Sequence, residues 1–173
     1  APEASLNSIR QVLNAIAQRM DPEEDILWLH LTSHGAESNE LVLSYPGRDL
    51  YWLTPSHLRR LMDETRIRHR IVVVSACYSG GFVAPLASPD TLVATASSST
   101  RQAYGCGSAS NITDFSKALY LEALPKIRYV PEAMRRAQQI IHEEETTHQK
   151  AHSYPQVRSG AAIEMLLREL SKR

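Results

Sequence analysis

The sequence predicts one α/β domain, a mostly parallel sheet sandwiched between two layers of helices. Three observations predict it. Residues 26–33 (ILWLHLTS), 71–76 (IVVVSA) and 91–96 (TLVATA) are short, near-continuous apolar runs between turn signals, the pattern of strands buried on both faces. Segments with apolar residues at helical spacing alternate with these runs, as crossover connections between parallel strands require. The 173 residues are enough for one hydrophobic core and too few for two ordinary domains.

The elements follow in order. Leu6, Ile9, Val12, Leu13, Ile16 and Met20 recur at helical spacing, so a helix is expected over residues 5–20. Asp21-Pro22 ends it, because a residue before proline is pushed out of the helical region. The first strand, 26–33, comes next. Leu41-Val42-Leu43 and Leu50-Tyr51-Trp52 flank Tyr45-Pro46-Gly47-Arg48-Asp49, which reads as a small surface hairpin. Thr54-Pro55 opens a helix with an N-cap and a proline at its first position, and Leu58, Leu61 and Met62 supply the inner face. The strands at 71–76 and 91–96 precede a loop of small residues over 97–112. Helices are expected at 115–123, from Pro131 onward, and at 161–170. Residues 143–151 are polar and read as a frayed end passing into a loop.

Composition excludes several functions. Nineteen basic residues balance nineteen acidic ones, so there is no basic footprint for a nucleic acid. No apolar run approaches the roughly 18 residues of a membrane span. Two cysteines do not make a disulfide scaffold. The chain opens Ala1-Pro2, with neither an initiator methionine nor a leader's apolar core, as a processed product or a fragment does.

In parallel sheets ligands bind beyond the carboxyl ends of the strands. The first buried strand runs into His34-Gly35, and the second runs into Cys77. The two are separated by 43 residues, room for a hairpin and one crossover helix returning to a neighbouring parallel strand. A thiol and an imidazole at adjacent strand ends form the arrangement for a covalent cysteine nucleophile. Gly35 and Cys77 would each offer a backbone N–H to a developing oxyanion.

Other readings stand beside this one. A cysteine after Val-Val-Val is a common core filler. A phosphatase loop needs an arginine after its cysteine, and Tyr-Ser-Gly-Gly-Phe-Val-Ala-Pro supplies none. A zinc site from His30, His34, Cys77 and Cys106 has poor spacing, with the histidines about 13 Å apart along a strand. His148 and His152 share helical i,i+4 spacing in polar surroundings and read as a solvated pair. A Cys77–Cys106 disulfide would silence the nucleophile.

An apolar strand ending in His-Gly (LHLTSHG, 29–35) followed by one ending in Ala-Cys (VVVSACYSGG, 72–81) resembles the caspase-like clan of cysteine peptidases. Within that clan it is most similar to the legumain family, peptidase family C13, and its wording looks like the bacterial members. LVATASSSTRQAYGC (92–106) and Asp114-Phe115 extend the likeness. The resemblance implies a caspase-like three-layer fold and a peptide or protein substrate, with no cofactor and no metal. Cys77 would attack the scissile carbonyl to give a thioester, and His34 would protonate the leaving amine and activate the deacylating water. Gly35 would share the oxyanion contact, while Ser75, Gln102 and Asp114 stand at positions of the substrate pocket, which in legumains accepts asparagine or aspartate. Legumains typically carry glutamate where this chain has Ser75, and serine is common where Gln102-Ala103 precede Tyr104. Capture of the same thioester by an amine would make a transpeptidase, and a buried or disulfide-bonded Cys77 would make an interaction module.

The resemblance also implies two further strands upstream, so that residues 26–33 would form an open edge. An N-terminal segment of the same precursor, or another chain, is the expected partner of that edge. Vacuolar, lysosomal and envelope-associated bacterial members all occur in the family, so several compartments are compatible with it.

Overall fold

The computed structural model describes residues 4–43, 51–105 and 111–173. The chain begins with α1 (Leu6–Ala17), where Ser5 and Ser8 exchange side-chain and backbone hydrogen bonds in a capping box. Next come β1 (Ile26–Thr32), the short strands β2 (Leu41–Leu43) and β3 (Tyr51–Leu53), and α2 (Pro55–Glu64). The Thr54 hydroxyl accepts the His57 N–H and Pro55 takes the first turn, as the sequence predicts. β4 (His69–Ser75) runs into a 3-10 turn (Ser79–Phe82), α3 (Val83–Leu86) and β5 (Thr91–Thr95). The remainder is α4 (Asp114–Lys117) with a π turn (Ala118–Ala123), α5 (Val130–Thr147), β6 (Gln156–Ser159) and α6 (Ala161–Leu170).

The main sheet has the order β1-β4-β5-β6. β1 and β5 pair parallel to β4, and β6 closes the far side antiparallel to β5. This is the expected three-layer α/β/α sandwich. Side-chain alternation explains the continuous apolar runs. Ile71, Val73, Leu92 and Ala94 face Phe115, Leu119, Met134, Ala137 and Ile163, whereas Val72, Val74 and Val93 face Leu13, Leu58, Met62 and Phe82. Helices α1, α2 and α3 thus cover one face, and α4, α5 and α6 the other. Among the described residues no strand pairs with the outer side of β1, so residues 26–32 form an edge.

Several expectations are corrected. β2 and β3 do pair antiparallel, with Leu41 opposite Leu53, but the proposed turn at Tyr45-Pro46-Gly47-Arg48-Asp49 lies outside the described residues. Residues 143–147 do not fray: α5 continues to Thr147 because the Glu145 carboxylate is buried, accepting the Ser153 N–H at 3.0 Å. His148 and His152 are not a helical pair. His148 caps α5, while His152 stacks on His142 with ring centroids 4.3 Å apart and meets Glu145 at 3.3 Å. No helix of the described residues is long and apolar enough to cross a membrane.

Candidate active site

The strand register brings the predicted pair together. Thr32 lies opposite Ser75 in the β1–β4 ladder, so His34 and Cys77 each stand two residues beyond a matched pair. His34 is held from behind: its carbonyl accepts the Val42 N–H at 2.9 Å, and the Ser33 hydroxyl donates to the Val42 carbonyl at 2.6 Å. The small hairpin therefore clamps the segment that carries His34. Gly35 lies against the Cys77 peptide so closely that a Cβ would fall on the Cys77 carbonyl oxygen and within 2.9 Å of its carbon. The requirement for glycine here is close backbone approach.

Cys77 sits at the mouth of a tight turn. Tyr78 adopts a left-handed conformation with φ of 55°, uncommon for a residue bearing a side chain. Its N–H donates to the Arg101 carbonyl at 2.7 Å. Below it, the buried hydroxyls of Ser79 and Ser97 both donate to the Ala76 carbonyl. Asn39 ties the same turn to the His34 loop: its amide donates to the carbonyls of Tyr78 and Ser99 at 3.1 and 2.7 Å. Nothing in the sequence pattern flagged Asn39, since a single left-handed asparagine carries no periodic signal.

The Cys77 thiol is free and partly accessible. The Cys77–Cys106 disulfide weighed from the sequence falls on Cys106, which lies outside the described residues. The sulfur accepts the Ala103 N–H at 3.3 Å and meets the Ala103 carbonyl at 3.5 Å, so it leans toward the 97–105 loop. It makes no hydrogen bond with the exposed His34 ring, a looseness common in unliganded sites that tighten around substrate. Among the described residues, the N–H groups of Gly35 and Cys77 are not taken by other backbone groups. Among the described residues no group of three His, Cys, Asp or Glu side chains is placed to hold a metal ion.

Beside His34 opens a cavity of about 550 Å³ whose lining includes His30, Thr32, Thr113, Ser116 and Tyr120. Ser75 is fully buried beneath it and bonds through its hydroxyl to Thr113 at 2.6 Å. Thr113 donates to Ser116 at 2.8 Å, and Ser116 meets Nε2 of His30 at 3.3 Å. His30 also lies against Tyr120, ring centroids 5.1 Å apart. Desolvation by the surrounding protein pushes the His30 imidazole below its ordinary value, favouring the neutral ring. Burial likewise pushes the Tyr120 phenol up, against the hydrogen bond it receives from Trp28.

The other two residues named from the sequence lie elsewhere. Gln102 donates to the Tyr78 hydroxyl at 3.3 Å, on the far side of Cys77, and that hydroxyl donates to Glu37. Asp114 opens α4, pairs with Lys150 at 3.6 Å and packs against Gly105, which has φ of +80°. Asp114 does not line the cavity. Conversely, His30, Thr113 and Ser116 do line it. Period-two alternation from His34 back along β1 was the signal that could have found His30.

An edge-to-edge histidine and cysteine at the carboxyl ends of parallel strands, inside this three-layer sandwich, define a caspase-like fold. The structure is similar to that of caspase-1 from Spodoptera frugiperda, with a TM-score of 0.64 and 16% sequence identity, over 92% of this chain and 69% of that chain. The model of the Peptidase C13 family matches residues 10–163, and the chain belongs to that family of cysteine peptidases. A search of curated proteins returned no match.

Proposed function

We propose that the protein is an endopeptidase that cuts after asparagine or aspartate through a Cys77 thioester. The observation that carries this reading is the shared register of His34 and Cys77, with Gly35 packed on the Cys77 peptide between them. In acylation the Cys77 sulfur bonds to the scissile carbonyl carbon as its proton passes to His34. The C–N bond then breaks, and His34 returns the proton to the leaving amine. The N–H groups of Gly35 and Cys77 face the developing oxyanion. In deacylation His34 takes a proton from water, whose oxygen bonds to the carbonyl carbon, and the carbon–sulfur bond breaks as the Cys77 sulfur departs and recovers that proton from His34. Ser75, Gln102 and Asp114 are assigned to substrate binding, Ser75 from beneath the cavity and Gln102 from beside Tyr78. The open side of β1 is where an upstream segment of the precursor, or another chain, adds a strand.

The test is a peptide library with product masses, run on wild type, Cys77→Ala and His34→Ala, together with an alkylating thiol probe mapped by peptide mass spectrometry. Cleavage by wild type alone, with the probe on Cys77, is expected, and the product masses separate water from amine capture. A folded wild type whose Cys77 stays unlabelled and which cuts no peptide overturns the reading.

A further inference from the structure

We infer that His30 is the specificity-determining residue of the cavity beside His34, donating a hydrogen bond from Nδ1 to the side chain of the residue whose carbonyl Cys77 attacks. The inference rests on the peptidase reading above and names the chemistry its pocket selects.

A chain of hydroxyls runs from Ser75 to His30. Thr113 spends its hydroxyl proton on Ser116, so the bond between Ser75 and Thr113 is donated by Ser75. Ser116 accepts from Thr113 and keeps its own proton, and its hydroxyl lies 3.3 Å from Nε2 of His30, where the ring tautomer decides which group donates. A neutral His30 that accepts at Nε2 carries its proton on Nδ1. Among the described residues no hydrogen bond is made by Nδ1, and His30 lines the cavity together with Thr32 and His34.

This donor suits an oxygen acceptor on the substrate side chain. With a neutral ring, an amide carbonyl is taken without the cost of desolvating an anion. With a protonated ring, a carboxylate becomes the better partner. The groups facing His30 leave this choice to His30 itself. From β1 the titratable neighbour on this face is His34, and the β4 partner of His30 is Val73. From the π turn it is Tyr120, whose burial keeps it neutral. On α4, Ser116 and Thr113 are neutral, while Lys117 turns to Glu122 and Glu144, and Asp114 to Lys150. No carboxylate lines the cavity among the described residues, so an acidic substrate side chain meets no like charge.

The experiment compares kcat/KM on peptides that differ only in the residue before the scissile bond, Asn, Asp or Ala, from pH 5 to pH 8. Wild type, His30→Phe, His30→Gln and Ser116→Ala are the enzymes, with the alkylation rate of Cys77 as the control for an intact nucleophile. Wild type is expected to favour Asn over Ala by more than tenfold at pH 8, the size of one well-placed hydrogen bond. Its Asn:Asp ratio is expected to fall toward pH 5. His30→Phe removes both preferences by about tenfold at unchanged alkylation, and His30→Gln, which keeps a donor, restores the Asn preference while flattening the pH dependence. Ser116→Ala lowers the Asn preference with Cys77 still reactive. Cleavage by His30→Phe with the wild-type Asn:Asp:Ala profile overturns the assignment of His30 and leaves the peptidase reading intact. A wild type that cuts none of the peptides and resists alkylation overturns both.

Discussion

Gly35→Ala is the sharpest perturbation of the site, because it acts on backbone alone. The added methyl lands on the carbonyl oxygen of Cys77, 2.9 Å from its carbon and 3.3 Å from its nitrogen. Carbon atoms rest about 3.5–4.0 Å apart at their optimum, so the two segments must part by about 1 Å. No side-chain rotation relieves this, since every atom struck belongs to the peptide of Cys77. Overpacking of this kind costs about 1–3 kcal/mol of stability. A displacement of about 1 Å between reacting groups costs about a hundredfold in rate. The assay pairs urea unfolding with kcat/KM on the best peptide from the library. The expected result is a lower midpoint at unchanged slope, a hundredfold loss of turnover, and Cys77 alkylation retained, because the thiol itself is untouched. Turnover within twofold of wild type refutes the argument that Gly35 is a spacer between the two strand ends.

Three other outcomes follow from the same structure. Asn39→Ala removes the donor to Tyr78 and Ser99 and should lower turnover about tenfold while costing about 1–2 kcal/mol in urea melts; equal turnover would show that the Cys77 turn holds without it. Phe82→Ala empties a fully buried site beneath the same turn and should cost about 3–5 kcal/mol in the same melts. His30, lowered by burial from its ordinary 6.5, contributes stability that is full above that value and declines as the pH falls toward the folded value, since the unfolded chain then binds the proton first. His30→Phe should therefore lose less stability between pH 7 and pH 5 than wild type, and parallel urea midpoints for the two proteins would contradict this.

What could be read from the sequence follows physical lines. β4 and β5 were legible because Val72–Val74 and Leu92–Ala94 are apolar on both faces, and only a covered sheet tolerates that. β1, expected to be buried on both faces, has Leu27 alone buried, because it is the end strand of the sheet among the described residues. Gly35 and Cys77 were legible because each follows an apolar run. His30 was not assigned a role in the pocket: within ILWLHLTS it looks like an interruption of an apolar run, and only the α4 hydroxyls, over eighty residues away, give it a partner. The end of α5 was misread for a related reason. Glu145 is polar by type, yet it is only 3% exposed, because the 152–153 segment folds back to bond it. Long-range partners convert a polar residue into a buried one, and local periodicity holds no trace of them.

The edge position of β1 gives the two halves of the site different anchorage. Cys77 follows β4, which is hydrogen-bonded to strands on both sides, whereas His34 follows β1, which is joined to the sheet along one side among the described residues. Opening β1 breaks a single ladder and the hairpin clamp; opening β4 breaks two ladders and divides the core. Amide protons of β1 are therefore expected to exchange through sub-global openings, and those of β4 through global unfolding. On the proposed function, the site would lose His34 before Cys77, so proteins with β1 open would stay folded, keep the Cys77 thiol, and cut no peptide. A strand laid along β1 would remove that state, and catalytic competence would then track occupancy of the sheet's edge.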